Sequence, residues 1–411
     1  MGLTVLLTNL FVANYTGSEC VLESLADGLR AAGHRPVIYA PQLGPQAARM
    51  AKRGHTLADR VSLLGALEPD VIHAQHQPPT LVALANWPHV PMVNVMHSAR
   101  GRAEAPLPHP QIRRFVAVDE TVAASCRRAG VPAERLRVIL NAVDMDRFRP
   151  RDALPARPRR ALLLTKNHDH QAAVRAACRK AGLTLDALGP GTPRVSHQLE
   201  RELPRYDIVF ATARMALEAA AVGCAVVVAD GRGFAGLLTS TRLDTWRPLN
   251  FGAALLTSPP TEDLFLAAIA AYDPVDTDRV TTRIRHEAGL EAAVAAYVGV
   301  YREAIAEDPL SPRASALALA ALLDETQVNS AARSAGGHGQ ESDFDTVAGD
   351  GRAAILQSLH RRLSEDATMR PEARAWLIAA ARDSLSAMLA RNVEQQLQAF
   401  DDTAAELLRD A

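Results

Sequence analysis

The stretch "ATARMALEAAAVGCAVVVAD", residues 211–230, sets one carboxylate, Glu218, among side chains otherwise suited only to burial. An ionised carboxylate offers acceptors only, and a vicinal diol offers two donors, so Glu218 is a candidate partner for ribose or sugar hydroxyls. The competing reading is local. Arg214 stands four residues earlier, where an exposed helical ion pair is worth roughly 0.3–0.5 kcal/mol, and the residues alone leave both open. Lys166, one of only three lysines among 45 basic residues, follows the apolar run "RALLLT". A compact ammonium there would neutralise charge on a phosphate, or would simply be solvated at a strand end. His97 directly follows "PMVNVM", a place where a histidine serves more often as a structural hydrogen-bonder than in catalysis. Of His73 and His76 in "VIHAQHQPP", alternation turns one toward a core and the other toward the strand ends.

Glycines mark two further places. "GRGFAG", 231–236, has the G-x-G-x-x-G spacing, but it follows the fourth strand of its half and no acidic residue ends a new strand about 20 residues later. It reads as a flexible cleft loop in which Gly231 and Gly233 approach phosphate or sugar. Gly17, with Ser18 in "YTGSE", is the better candidate for close backbone approach beside an acceptor or diphosphate. No metal site is expected. The cysteines Cys20, Cys126, Cys178 and Cys224 form no CxxC pair, and "DMD" at 144–146 lies in a linker. The four read as buried thiols in a reducing compartment.

Such residues need elements to hold them. Apolar runs at 3, 36, 70, 91, 114 and 136 alternate with helical patterns, the rhythm of a parallel sheet covered on both faces. Thr16 and Glu19 form a capping box, Leu22, Leu25 and Leu29 an apolar stripe, and Gly33 a stop for the first helix. The rhythm resumes at 160, 183, 206, 224 and, as "AALLTS", at 253. The expected architecture is two doubly wound Rossmann-like α/β domains, residues 1–150 and 151–308, facing one cleft, where strand ends and helix N-termini suit phosphate. Residues 309–351 read as a linker, partly disordered because of the Gly, Ser and acid at 329–351, and 352–411 as a helical extension with Leu377, Leu385 and Leu389 on one stripe.

The net charge of −1, from 45 basic and 46 acidic residues, argues against a dedicated nucleic-acid binder. The N-terminus reads as a first strand rather than a signal peptide, and no run reaches about 20 apolar residues, so a cytoplasmic protein is expected. "RFRPRDALPARPRR" holds six arginines; around a domain linker these are usually solvated, with peripheral membrane contact as the sharper alternative.

"ARMALEAAAVGCAVVVAD" resembles the "LEAMAxGxPVVA" signature of the family 4 glycosyltransferases of the GT-B fold. "YTGSECVLESLADGLRAAGHRPVIYAP", "PDVIHAQ", "VPMVNVMHS" and "VILNAVDMDRFRP" resemble further motifs of that family in the same order, across residues 5 to about 305. The resemblance implies a glycosyltransferase that is retaining and metal-independent, without a cofactor. Its donor would be a UDP-sugar or GDP-sugar, and its acceptor a sugar, a lipid-linked group or a small molecule. It places Glu218 at the donor ribose, His97 at the donor sugar, and the loop "TKNHDH" with Lys166 at the diphosphate, where the family has "GR...K"; Arg214 and Asn167 are expected beside the donor, and His76, Gly17 and Ser18 on the acceptor or diphosphate side. The first glutamate of the family's E-x7-E pair has no counterpart, since Phe210 stands eight residues before Glu218. Two rival readings follow: a non-catalytic GT-B-like assembly protein, its C-terminal helices joining copies into a homo-oligomer, and a sugar-nucleotide epimerase or hydrolase.

Overall fold

The computed structural model describes residues 2–13, 16–99, 104–196, 198–308 and 311–334. The chain opens with β1 (Thr4–Thr8), the short β2 (Phe11–Val12), α1 (Gly17–Ala31), β3 (Arg35–Tyr39), the short β4 (Gln42–Leu43) and α2 (Pro45–Lys52). It continues with β5 (Thr56–Ala58), β6 (Val71–Ala74), α3 (Gln77–Asn86), β7 (Met92–Met96), β8 (Ile112–Ala117), α4 (Glu120–Arg128) and β9 (Leu136–Val138). Seven of these strands form one parallel sheet in the order β5-β3-β1-β6-β7-β8-β9. Every residue of β6 and β7 is buried, as both faces are covered and an unbroken apolar run is the stable choice. Helix α1 begins as its sequence predicts: the Glu19 carboxylate accepts from the Thr16 amide, Leu22, Leu25 and Leu29 are buried, and Gly33 turns out at φ +82°.

The second half contains β10 (Arg160–Leu164), α5 (Gln171–Lys180), β11 (Thr184–Leu188), α6 (Leu199–Glu202), β12 (Ile208–Ala211), α7 (Ala213–Val222), β13 (Ala225–Asp230) and β14 (Gly233–Leu237). Helices α8 (Leu243–Trp246), α9 (Glu262–Ala270), α10 (Pro274–Glu287), α11 (Leu290–Ile305) and α12 (Pro312–Ser334) follow. The sheet order is β11-β10-β12-β13-β14. Val174, Cys178 and Phe265, from α5 and α9, cover one face, while Leu217, Val280 and Ile284, from α7 and α10, cover the other.

Three features depart from expectation. Residues 253–255 of "AALLTS" make a single helical turn, and the fifth strand is instead β14, antiparallel to β13. The chain reverses there within two residues because Asp230 holds the turn, so no crossover helix is needed. Residues 312–334, placed in a linker, are helical. Ser315, Leu319, Leu322 and Leu323 of "RASALALAALL" recur at three- and four-residue spacing and are buried against the first domain. His109 Nδ1 accepts from the Gln111 amide, leaving Nε2–H to donate to the Ser315 carbonyl at 3.0 Å, and the Ser315 hydroxyl donates to Gln111 Oε1 at 2.8 Å. Cys20 is part-exposed, whereas the other three cysteines are buried. The extension expected at 352–411 lies outside the described residues, as does 335–351. Among the described residues no helix is long and apolar enough to cross a membrane.

Helix α11 also returns to the first domain. Val294, Tyr297, Val298 and Tyr301 join that core, and Arg113 and Arg114 pair with Glu303 and Glu307. The chain thus passes between domains twice, and the two passes touch: the Val143 amide donates to the Ala288 carbonyl at 2.8 Å and the Leu290 amide to the Val143 carbonyl at 2.9 Å.

Candidate functional site

In the second sheet the strand order reverses between β10 and β12, and ligands of doubly wound folds bind in the crevice beyond such a point. Residues 165–167 leave β10 there. The Thr165 hydroxyl is 3.1 Å from the Asn167 amide and 3.0 Å from Asn167 Oδ1, and Oδ1 in turn accepts from the Gly231 amide at 3.3 Å. Asn167 is therefore engaged in knitting two cleft loops together. Gly231 and Gly233, expected near phosphate or sugar, are bare for another reason: a Cβ on Gly231 would stand 3.1 Å from Asn167, and one on Gly233 2.8 Å from the Leu256 carbonyl oxygen. Their close approach is to protein. Lys166 stays open to solvent at the strand end. Desolvation first, then Arg232, holds it below the ordinary lysine range, with Glu19 and Asp230 opposing the shift. Glu19 belongs to α1 of the first domain, so Lys166 stands where the two domains face each other.

Beyond β12 the backbone takes a costly turn. Ala213, the first residue of α7, has φ +53°, a left-handed conformation that disfavours a side chain by about 1 kcal/mol or more. Its amide donates to the Phe251 carbonyl at 2.8 Å, and the Asn250 side chain of the same segment donates to the Val118 carbonyl of the first domain. The Thr212 hydroxyl does not cap the helix but lies 3.2 Å from Asp230, leaving the first-turn amides of α7 without a side-chain cap. One turn on, Glu218 pairs with Arg214 at 2.6 Å and is nearly sealed from solvent. Burial pushes its carboxyl upward, against Arg214 and then Arg147. Arg214 lines a narrow pocket between the domains with Ser24, Asn141 and Tyr297. Glu218 is thus a buried, ion-paired acid whose partner Arg214 lines the inter-domain pocket.

The first sheet reverses its order between β1 and β6, and the Thr8 hydroxyl bridges that point through the Gln75 amide at 3.1 Å and carbonyl at 3.2 Å. His73 faces the core, with Nδ1 2.7 Å from the Tyr301 hydroxyl and Nε2 2.9 Å from Gln75. His76 turns the other way at φ +60°. Its Nδ1 accepts from the Leu10 amide, so Nε2–H donates to Glu104 Oε1 at 3.1 Å. The other Glu104 oxygen accepts the His97 amide at 2.9 Å. His97 is part-buried, and its Nε2 is buried with no hydrogen-bond partner among the described residues. Burial lowers His97 to about 4 and His73 to about 3, so both rings are neutral near pH 7. Gly17 and Ser18 sit at the start of α1, where a Cβ on Gly17 would meet nothing within 4 Å.

The structure brings Lys166, Arg214 and Glu218 to the second domain's side of the cleft and gathers His76 and His97 at the first sheet's strand ends. Sequence reasoning missed Glu104, Asp230 and Arg232. Asp230 had a signal, an acid ending an apolar strand at the cleft edge, whereas Glu104 had none because its loop matches no local pattern. Among the described residues no cluster of His, Cys, Asp and Glu is arranged to hold a metal ion.

Two doubly wound domains with a shared cleft and a terminal helix crossing back define the GT-B fold, and solved structures agree. A glycosyltransferase from Rickettsia africae ESF-5 superposes with a TM-score of 0.56 at 12% identity, over 75% of this chain and 100% of that one. HepE of Anabaena, in complex with UDP and glucose, gives 0.55 at 13%, over 73% and 100%. Residues 15–147 match the model of Glycosyltransferase Family 4. The chain thus has the GT-B fold, and its residues 15–147 are similar to the family 4 glycosyltransferases. No curated protein matches it.

Proposed function

We propose that the protein transfers a glycosyl group from a nucleoside diphosphate sugar to an acceptor bound at the first domain. The observation that carries this reading is the placement of Lys166 at the second sheet's switch point, in a loop bonded through Asn167 to the Gly231 turn. Its ammonium and the uncapped amides of α7 would stabilise the negative charge that grows on a departing diphosphate, a stabilisation that is larger in the transition state than before it. Glu218 and Arg214 would hold the ribose end. His97, neutral and with an unsatisfied Nε2, would take a hydroxyl of the sugar, and His76, Gly17 and Ser18 border the acceptor. With Lys166 and helix-terminal amides supplying positive charge, no metal is required to hold the phosphates. Retention of anomeric configuration rests on the family resemblance.

Thermal unfolding with UDP and GDP in EDTA tests the reading: at 100 times its dissociation constant a ligand adds about 2.7 kcal/mol. Stabilisation that needs added metal would overturn the metal-free cradle, and the absence of any nucleotide effect would overturn the whole proposal. Glu218→Gln should weaken nucleotide binding per folded molecule; a change in melting temperature alone would make the Arg214 pair purely structural. Phe210, fully buried where the family's first glutamate would stand, supports the rival reading of a binding protein without transfer. Nucleotide-sugar binding with neither transfer nor hydrolysis would select it.

A further inference from the structure

The turn between β13 and β14 brings a second cation to the place where Lys166 stands. Arg232 reaches back onto Asp230, its Nε lying 3.1 Å from both carboxylate oxygens, and its side chain remains half exposed. Asp230 is almost wholly buried; Oδ1 also accepts the Arg232 amide at 2.8 Å, and Oδ2 the Thr212 hydroxyl at 3.2 Å. The turn is bonded to the Lys166 loop through Gly231 and Asn167.

Two like charges held in one another's field cost free energy unless an anion lies between them. The acids that oppose the repulsion at Lys166 are Glu19 and Asp230. Glu19 is committed to the Ala13 and Thr16 amides, and Asp230 to Arg232. A dianionic group in the cleft would serve both cations better than one buried aspartate does, and Arg232, bonded among the described residues only within its own turn, has the exposure to move. Once it moves, Asp230 keeps the Thr212 hydroxyl and the Arg232 amide but has acceptor capacity to spare on the side that the guanidinium leaves. No other carboxylate can come from the neighbouring strand, where Phe210 is sealed in the core.

We propose that Arg232 and Asp230 form an exchangeable pair: the guanidinium leaves Asp230 to bind the donor diphosphate beside Lys166, and the released carboxylate accepts hydrogen bonds from hydroxyls of the sugar to be transferred. This rests on the nucleotide-sugar reading above. The pair senses both halves of the donor, so an intact sugar nucleotide gains a contact that the free nucleotide lacks.

The test is calorimetric titration of the full chain, in wild-type form and as Arg232→Gln and Asp230→Asn. The ligands are UDP, GDP, UDP-glucose and GDP-mannose, with the tighter sugar nucleotide compared with its own diphosphate. Loss of one charge-assisted phosphate contact should weaken both members of that pair about tenfold in Arg232→Gln. Asp230→Asn keeps the Thr212 contact and frees the guanidinium. It should bind the free diphosphate as well as or better than wild type, while losing several-fold in preference for the sugar nucleotide. Wild-type affinity in Arg232→Gln, or an equal loss for both ligands in Asp230→Asn with a lowered melting temperature, would make the pair a mere clamp on the turn and overturn the inference. Wild-type protein that binds none of the four would bring down the nucleotide-sugar reading with it, whereas wild-type binding with unaltered variants brings down the exchange alone.

Discussion

The two sides of the cleft solve one topological problem with different chemistry. Each sheet reverses its order beside its first strand, and each spends a left-handed non-glycine residue just beyond the next strand, His76 at φ +60° in the first domain and Ala213 at φ +53° in the second. Around His76 the polar groups are imidazoles, amides and the Glu104 carboxylate held between His76 and the His97 amide, with His73 and His97 made neutral by burial. Around Ala213 they are Arg214 and Arg232, paired with Glu218 and Asp230, and the exposed Lys166. Burial explains the contrast. A histidine can give up its charge at a cost of a few pH units, but a guanidinium cannot, so arginine sites must keep a counter-ion or an open edge. Under the proposed function the first domain offers a fixed surface with the Glu104 carboxylate held by hydrogen bonds, and the second a cationic one that can rearrange around an anion.

The largest expected effect separates the domains by stability. Truncation after Asp308 removes α12, and burial of Leu319, Leu322 and Leu323 contributes about 1.5–3 kcal/mol each. It also strips His109 Nε2 and Gln111 Oε1 of their partners in Ser315. Calorimetric unfolding should show a first-domain transition lowered by several kcal/mol, with α7 and the β10 loop still able to bind nucleotide. An unchanged thermogram would mean that α12 adds nothing to that core.

Acid should act on the same side. His73 and His97 titrate near 6.5 when unfolded and at about 3 and about 4 when folded, so below pH 6.5 the unfolded chain binds more protons. Stability is fully present above that pH and falls as pH drops toward 4, by about 2 kcal/mol per histidine between pH 6.5 and pH 5. Denaturant melts across this range should flatten in His97→Gln by that amount; an unaltered slope would mean His97 is not buried as a neutral ring.

Lys166→Met probes the ionic side, with an expected loss of about tenfold in nucleoside diphosphate affinity at constant melting temperature. Equal binding would remove Lys166 from the cradle. The smallest effect is at Gly17, where an added methyl meets no atom within 4 Å. Gly17→Ala should stabilise the protein by about 0.5 kcal/mol, and a simultaneous loss of nucleotide or acceptor affinity would show that a ligand presses on this backbone.

What could be read from sequence divides along physical lines. Strand rhythm, the Thr16–Glu19 cap and the Gly33 stop are local signals, and the structure reproduces them. The positions of Lys166 at a strand end and Glu218 in the helix that follows were legible, although the sealing of Glu218 against Arg214 depends on packing that no local pattern encodes. Asn167 and the two glycines of "GRGFAG" looked like ligand contacts, but their atoms meet one another or Leu256, a long-range coincidence of two loops. The reversal into β14 was missed for the same reason, since its cause is a carboxylate holding its own turn. Helix α12 was missed because small residues dilute its apolar stripe, and only the first-domain surface beneath it makes the stripe worth burying.

The paired chain passes at Val143 and Leu290 have a consequence for biosynthesis. Everything between them belongs to the second domain, which can close as a continuous unit as soon as it has left the ribosome. The first domain cannot: the surface of β6, β7 and β8 on which α11 settles stays uncovered until residue 305 has been made. At about 5–20 residues per second the interval after β9 is on the order of 10–30 s. The domain begun first is completed last, and its half-built sheet is the stage at which a chaperone would be needed most.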